Sequence, residues 1–267
     1  MPRVRRPDRR KGYRSPAGRH IRHNRAVWDR ASAWYERRCA EVLGGSHATS
    51  WGIFRVPERE LRLLGPVRGK RVLEVGCGAA RWTASLARRG ARATGIDLST
   101  QQLAKARELQ RTSRQPFPLV RGSVERLPFR RSTFDLVFCD WGAMTFSDPR
   151  RSVPECARVL RAGGRFVFAT ANPFRYIALD PRADRQVARL VRPYFGDYRV
   201  DFGPNDAIEF QPPFGVWIDL FRQNGFAVER LIETRPAAGQ GSKYLSRSDA
   251  KWARSWPIEA IWKLTKE

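Results

Sequence analysis

The chain has 267 residues, a formal net charge of +25, and is 42% hydrophobic and 11% aromatic. That composition excludes a wholly disordered chain, and the length suits one α/β domain with additions. No apolar run reaches the ~20 residues of a membrane span, no apolar segment of the signal-peptide kind follows the basic start, and Cys39, Cys77, Cys139 and Cys156 lack the spacing of a zinc site or a disulfide framework.

Reduced thiols and a cytoplasmic setting are therefore expected. The charge favours contact with polyanions, but arginine carries most of it, and GC-rich coding yields the same bias. Charge alone leaves the substrate open. Residues 1–25 read as a basic, flexible arm, a candidate contact for nucleic acid. Over residues 26–42, Val27, Trp28, Ala31, Trp34, Tyr35 and Cys39 recur at helical spacing, and Gly44-Gly45 ends the pattern. A loop over 46–54 carries His47, Trp51 and Gly52, and a short helix is expected from Pro57 to Leu64. The loop is a candidate wall of a site, Trp51 included, and His47 is a candidate base.

Residues 71–82 read RVLEVGCGAARW. Val72, Leu73 and Val75 form the apolar run of a buried parallel strand, which stops at Gly76-Cys77-Gly78. Two glycines around one small residue let the backbone turn sharply and let a ligand approach the main chain. A helix-forming stretch follows, so the site has strand, glycine turn and helix N-terminus in sequence. The dinucleotide fingerprint wants a small residue where Arg81 stands, which speaks against NAD. Glu74 followed by x-G-x-G instead resembles motif I of the class I S-adenosyl-L-methionine (SAM) methyltransferases. In that family the helix before the motif covers the cofactor, which implies a role for Tyr35.

Residues 93–97 predict a second strand ending in Asp97, about twenty residues past the glycine turn, where a carboxylate can accept from both ribose hydroxyls. Ser99 caps the next helix, over 100–111. The resemblance implies that Leu98 packs on the sugar or adenine, and that Gln102 contacts the cofactor. A third strand is expected over 117–122. The stretch RGSVERLPF resembles the family's third signature and implies adenine contacts from Ser123 and from the Val124 N–H. Residues 134–139 read as the fourth strand, ending at Asp140, the candidate base or orienting group. Trp141 and Phe146 are candidate walls for an acceptor. A helix over 154–160 and a fifth strand over 165–170 follow, in a run (VLRAGGRFVFA) that again resembles the family. Residues 172–211 are an insertion, expected to form a substrate lid with a helix over 182–191 and a short strand over 206–210. A helix over 213–224, a strand over 226–233, a flexible loop over 236–249 and a last strand over 258–265 complete the chain.

The resemblance is to the UbiE-like, methyltransferase type 11 group. It implies an α/β fold with a doubly wound, seven-stranded, mostly parallel sheet of order 3-2-1-4-5-7-6, the last strand antiparallel. The domain would span 26–267, with N-terminal capping helices over 26–65. It also implies methyl transfer by in-line displacement to O, N or C of a small-molecule acceptor, with S-adenosyl-L-homocysteine (SAH) as product and no metal. Glu74, Gly76, Cys77, Gly78, Asp97, Leu98, Gln102, Ser123, Val124, Asp140, Tyr35 and Trp51 are the expected cofactor contacts, and Asp140 and His47 the candidate catalytic groups. Two other readings stand beside it: a nucleic-acid methyltransferase using the basic arm, and a non-catalytic SAM-binding protein. Against the first, amino-group enzymes for bases carry [DNS]-P-P-[FY] after the fourth strand, where this chain has Asp140-Trp141-Gly142-Ala143.

Overall fold

The computed structural model describes residues 18–267 except 44–48, 115, 181–182, 184, 238–241 and 243, and gives only the backbone over 38–43. Its centre is a seven-stranded sheet. The strands are β1 (Arg71–Val75), β2 (Arg92–Asp97), β3 (Leu119–Arg121), β4 (Phe134–Asp140), β5 (Leu160–Ala171), β6 (Phe226–Glu233) and β7 (Glu259–Lys266). Their order is 3-2-1-4-5-7-6, as the resemblance implies. β1 to β5 run parallel, and β7 lies antiparallel between β5 and β6.

The central strands are mostly apolar because both faces are covered. Alternate side chains point to opposite faces. Leu73, Val75, Val137, Phe166 and Phe168 pack with Trp217, Phe221 and Trp262 on one side. Val72, Leu136, Phe138, Val167 and Ile261 pack with Trp51, Trp82 and Leu86 on the other.

The helices are α1 (Arg19–Leu43), α2 (Glu58–Leu61), α3 (Arg81–Arg88), α4 (Thr100–Ser113), α5 (Ala143–Phe146), α6 (Pro149–Val159), α7 (Pro173–Ile177), α8 (Phe214–Gln223) and α9 (Arg247–Trp252). Several of them depart from the sequence reading, α5 among them, which was not expected. α1 begins at Arg19, inside the stretch read as a flexible arm. Its first turns are held by tertiary bonds that periodicity does not show: Asn24 Nδ2 donates to the carbonyls of Phe146 and Ile208, each at 2.9 Å, and Asn24 Oδ1 accepts from Ile208 N–H at 2.8 Å. α2 stops early, at a left-handed Arg62. α6 starts before the expected 154, because Asp148 caps it and Pro149 takes its first position, leaving Pro154 inside. α9 occupies residues read as loop, capped by the Ser246 hydroxyl.

The insertion also differs. No helix forms over 182–191 among its described residues; Arg185–Gln186 pair with Leu179–Asp180 as an antiparallel ribbon. The helix of this segment is α7, which follows directly from β5 with Asn172 as cap. Glu209–Phe210 is a short strand, as expected, paired with Arg199–Val200.

Candidate active site

The carboxyl ends of β1 to β4 open onto a cavity of about 330 Å³, covered by Ile21, Asn24, Trp28 and Tyr35 of α1. That size falls among small-ligand pockets, and the place is where the strand order reverses in a doubly wound sheet.

The floor is the glycine turn after β1. Gly76 has φ +69° and Gly78 φ +52°. A Cβ on Gly76 would stand 2.2 Å from Ala143 N, and one on Gly142 would stand 2.4 Å from Gly76 O. The turns after β1 and β4 thus touch backbone to backbone, and only glycines permit it. Gly95 in β2 gives Cys77 its room, since a Cβ there would lie 2.9 Å from Sγ. Burial holds the Cys77 thiol well above its ordinary range, so it stays neutral.

Glu74 closes the first turn of α3. The residue before that helix, Ala80, is left-handed and caps nothing. Glu74, buried in β1, does so instead: it accepts from Thr83 N–H at 2.8 Å and from the Thr83 hydroxyl. Burial above all pushes its carboxyl up to about 8.

Asp97, at the end of β2, joins two loops. Oδ2 accepts from Gly78 N–H at 2.8 Å and Oδ1 from Ser99 N–H at 2.8 Å. A carboxylate offers about four lone-pair sites, and the Leu98 N–H also acts on this one, which leaves acceptor capacity for a ligand. Desolvation raises its pKa. Leu98, Gln102, Ser123 and Val124 line the cavity beside it. Gln102 Oε1 is buried there and has no partner among the described residues. Ser123 Oγ accepts from Glu125 N–H at 3.2 Å.

Asp140, at the end of β4, is held through both oxygens: Oδ1 accepts from Gly52 N–H at 2.9 Å and Oδ2 from Trp82 Nε1–H at 3.2 Å. Burial is the main cause that lifts its carboxyl to about 7. Glu259, the first residue of β7, holds the next link of the same loop. It accepts from Ile53 N–H at 2.9 Å and from the side chains of Trp141 and Thr234. Two buried carboxylates thereby fix the turn 52–55 over the sheet.

Of the expected residues, Tyr35, Glu74, Gly76, Cys77, Gly78, Asp97, Leu98, Gln102, Ser123, Val124 and Asp140 line this one cavity. Trp51 does not. It is fully buried in the core, its ring 5.3 Å from that of Trp82, and its Nε1–H donates to Glu58 at 2.7 Å. His47 lies outside the described residues.

Other wall residues went unread in the sequence. Glu125 Oε1 accepts from Asp148 N–H at 2.8 Å and pairs with His20 Nε2 at 2.5 Å. Asp29 accepts from the Ser99 hydroxyl at 2.7 Å, and Glu36 pairs with Arg81 at 2.7 Å. These bonds tie α1 down over the cavity. Their only sequence signal was a helix with polar residues on its inner face. The lining acids Glu36, Glu74, Asp97, Glu125 and Asp140 outnumber the lining arginines Arg55, Arg81 and Arg175, the reverse of the chain's balance of 51 Lys and Arg to 26 Asp and Glu.

Residues 73–168 match a family model described as a methyltransferase domain. Among curated proteins, a ubiquinone biosynthesis O-methyltransferase of Paracidovorax citrulli is 34% identical over 49% of this chain and 60% of its own length. A demethylmenaquinone methyltransferase of Tropheryma whipplei is 31% identical over 60% of this chain and 64% of its own. The match thus spans less than two thirds of these relatives. Among solved structures, a geranyl diphosphate C-methyltransferase of Streptomyces coelicolor aligns with TM-score 0.67 at 15% identity, covering 95% of this chain and 100% of that one. An S-adenosylmethionine-dependent methyltransferase of Mesorhizobium loti aligns with TM-score 0.62 at 22% identity, over 78% and 96%. At these identities the structural likeness concerns the fold.

Proposed function

We propose that the chain, whose residues 73–168 match the methyltransferase domain model, is a SAM-dependent methyltransferase acting on a small molecule. The observation that carries this is the pairing, in one cavity, of the glycine turn at 76–78 with the partly satisfied carboxylate of Asp97. The residues present fit the cofactor. The glycine turn would let the methionine part approach the main chain. Asp97 keeps acceptor sites for ribose hydroxyls, and the buried, unpartnered Gln102 Oε1 offers a further acceptor. The acids around the turn suit a ligand that carries a sulfonium and an ammonium charge.

When bound, SAM supplies an electrophilic methyl group. The chain's own part is to position and to exclude water. A lone pair of the acceptor forms the new bond to the methyl carbon as the carbon–sulfur bond breaks, and its electrons stay on the sulfur of SAH. Alignment of two bound reactants contributes about 7–11 kcal/mol toward such a barrier. Where the acceptor is a hydroxyl, Asp140 takes its proton: Gly52 and Trp82 fix the carboxyl's orientation, and a pKa of about 7 suits a base near neutral pH. The quinone methyltransferase relatives support a small acceptor over a nucleic acid.

Calorimetry with SAM and SAH tests the reading. Both bind wild type, and Asp97→Ala weakens each at least about tenfold, as expected for lost charge-assisted hydrogen bonds. No binding by wild type, or unchanged affinity in the variant, overturns it.

A further inference from the structure

The two ends of the cavity differ in their lining. Its acids gather at the glycine turn, at the ends of β2 and β3, and under α1. At the other end, beyond β4 and β5, the wall is apolar: Ile53, Trp141, Tyr244, Leu245 and Ile258. Two arginines line this end of the cavity, Arg55, which is exposed, and Arg175, which is half-buried.

Arg55 closes the turn 52–55, its N–H donating to Gly52 O at 3.3 Å. It adopts φ +53°, a conformation that is uncommon and costly for a residue with a side chain. The turn is held in this form by Asp140 and Glu259 through the N–H groups of Gly52 and Ile53. Among the described residues the Arg55 guanidinium has neither an ion-pair nor a hydrogen-bond partner. Arg175 stands on α7, directly after β5. Its Nη1 meets Glu209 at 2.9 Å, and its remaining guanidinium nitrogens bond no described residue.

The carboxylates nearest this wall hold donors from the chain itself. Asp140 accepts one N–H on each oxygen. Glu259 is fully buried and takes three donors, Ile53 N–H, Trp141 and Thr234. Glu209 is shared between Arg175 and Gln211. The positive end thus has donors to spare, in a planar fork geometry that suits carboxylate or phosphate oxygens.

We propose that the methyl acceptor is an organic acid: an aromatic or otherwise apolar frame seated on Ile53, Trp141 and Tyr244, with a carboxylate or phosphate group held by Arg55 and Arg175. This rests on the function proposed above and assigns the acceptor half of the same cavity. The donor and the acceptor then meet between the two ends of the cavity.

The test uses the full chain saturated with SAH and three small probes, benzoate, phenyl phosphate and benzamide, read by ligand-observed NMR. The neutral amide has the frame without the charge. One or both anions bind about tenfold tighter than benzamide, and which anion gains more tells carboxylate from phosphate. Arg55→Asn, which suits the left-handed turn, and Arg175→Gln each shrink that preference. Arg55→Lys keeps most of it. Arg88→Gln, an exposed change outside the cavity, keeps all of it.

Benzamide binding as well as the anions, or no probe binding at millimolar concentration, overturns the proposal. So does a preference that survives both Arg55→Asn and Arg175→Gln, because the chain's overall charge then explains it. Arg55→Asn leaves the Arg175–Glu209 pair intact, so its result stands even where Arg175→Gln fails to fold. Failure of SAH itself to bind overturns the function proposed above instead, and is seen first.

Discussion

Gly142 sits two residues past the expected base and carries no side chain to read, yet the site depends on it. Its contact with Gly76 leaves no space for a methyl group on either side. Gly142→Ala is expected to spread the two turns, cost about 1–3 kcal/mol of stability, and weaken SAH binding more than tenfold; thermal melts and calorimetry on the same sample check both. Asp140 is open to a different test. With its carboxyl near 7 in the free protein, activity toward a hydroxyl acceptor should fall below pH 7 with a single-proton limb. Asp140→Asn should remove that limb along with most of kcat, about 10²–10⁴-fold for a lost base. An unchanged pH profile in the variant would show that another group takes the proton. At this scale the sequence was legible where a residue's place on a strand carries the expectation: Asp97 could be named as a cavity residue from spacing, and Glu74 from the resemblance to motif I. It was not legible where a role is set by a distant partner. Trp51 read as a wall and is core, because Glu58 and Trp82 draw it inward. Glu125, Arg55 and Arg175 reach the cavity through folds of the chain that no local pattern encodes.

α1 shows the same limit one level up. Its apolar spacing predicts a helix from 26, and the tertiary bonds of His20 and Asn24 extend it back to Arg19. Two truncations separate arm from helix. Removing residues 1–17 should leave SAH affinity and melting temperature unchanged. Removing 1–25 takes His20 and Asn24 away, leaving Ile208 N–H and the Phe146 carbonyl without their partner. That second truncation should cost about 1–3 kcal/mol and raise the SAH dissociation rate in stopped-flow. Equal behaviour of the two would mean that α1 is not a cover. The seven strands, by contrast, were legible almost whole, and their order followed from the family resemblance. Buried parallel strands must be continuously apolar, and glycine turns punctuate them. The insertion after β5 was the least legible, since its short ribbon and α7 owe their form to contacts with the rest of the molecule.

Across the molecule, buried acids in a basic protein tie stability to pH. Glu74 at about 8 and Asp140 at about 7 both lie above their values in an unfolded chain. Over the interval between those values the folded state holds protons that the unfolded state has released. Their contribution is therefore fully present below about pH 4 and is lost as pH rises through 7 and 8. On this account the melting temperature of the ligand-free protein falls from pH 5 to pH 8. A cationic ligand favours the charged acids, so SAM should bind more tightly, and raise the melting temperature more, at pH 8 than at pH 6. A ligand shift independent of pH would argue that these acids do not face it.

The turn that carries Arg55 is fixed by a residue from the far end of the chain. Glu259 opens β7, and β7 wedges between β5 and β6. During synthesis, then, every strand beneath the pocket leaves the ribosome before the clasp that completes its rim. A nascent chain halted at residue 257 would have β1 to β6 and no Glu259. It should be recognised by proteases at residues 49–57 until the last strand arrives, and only the released chain should be protected there.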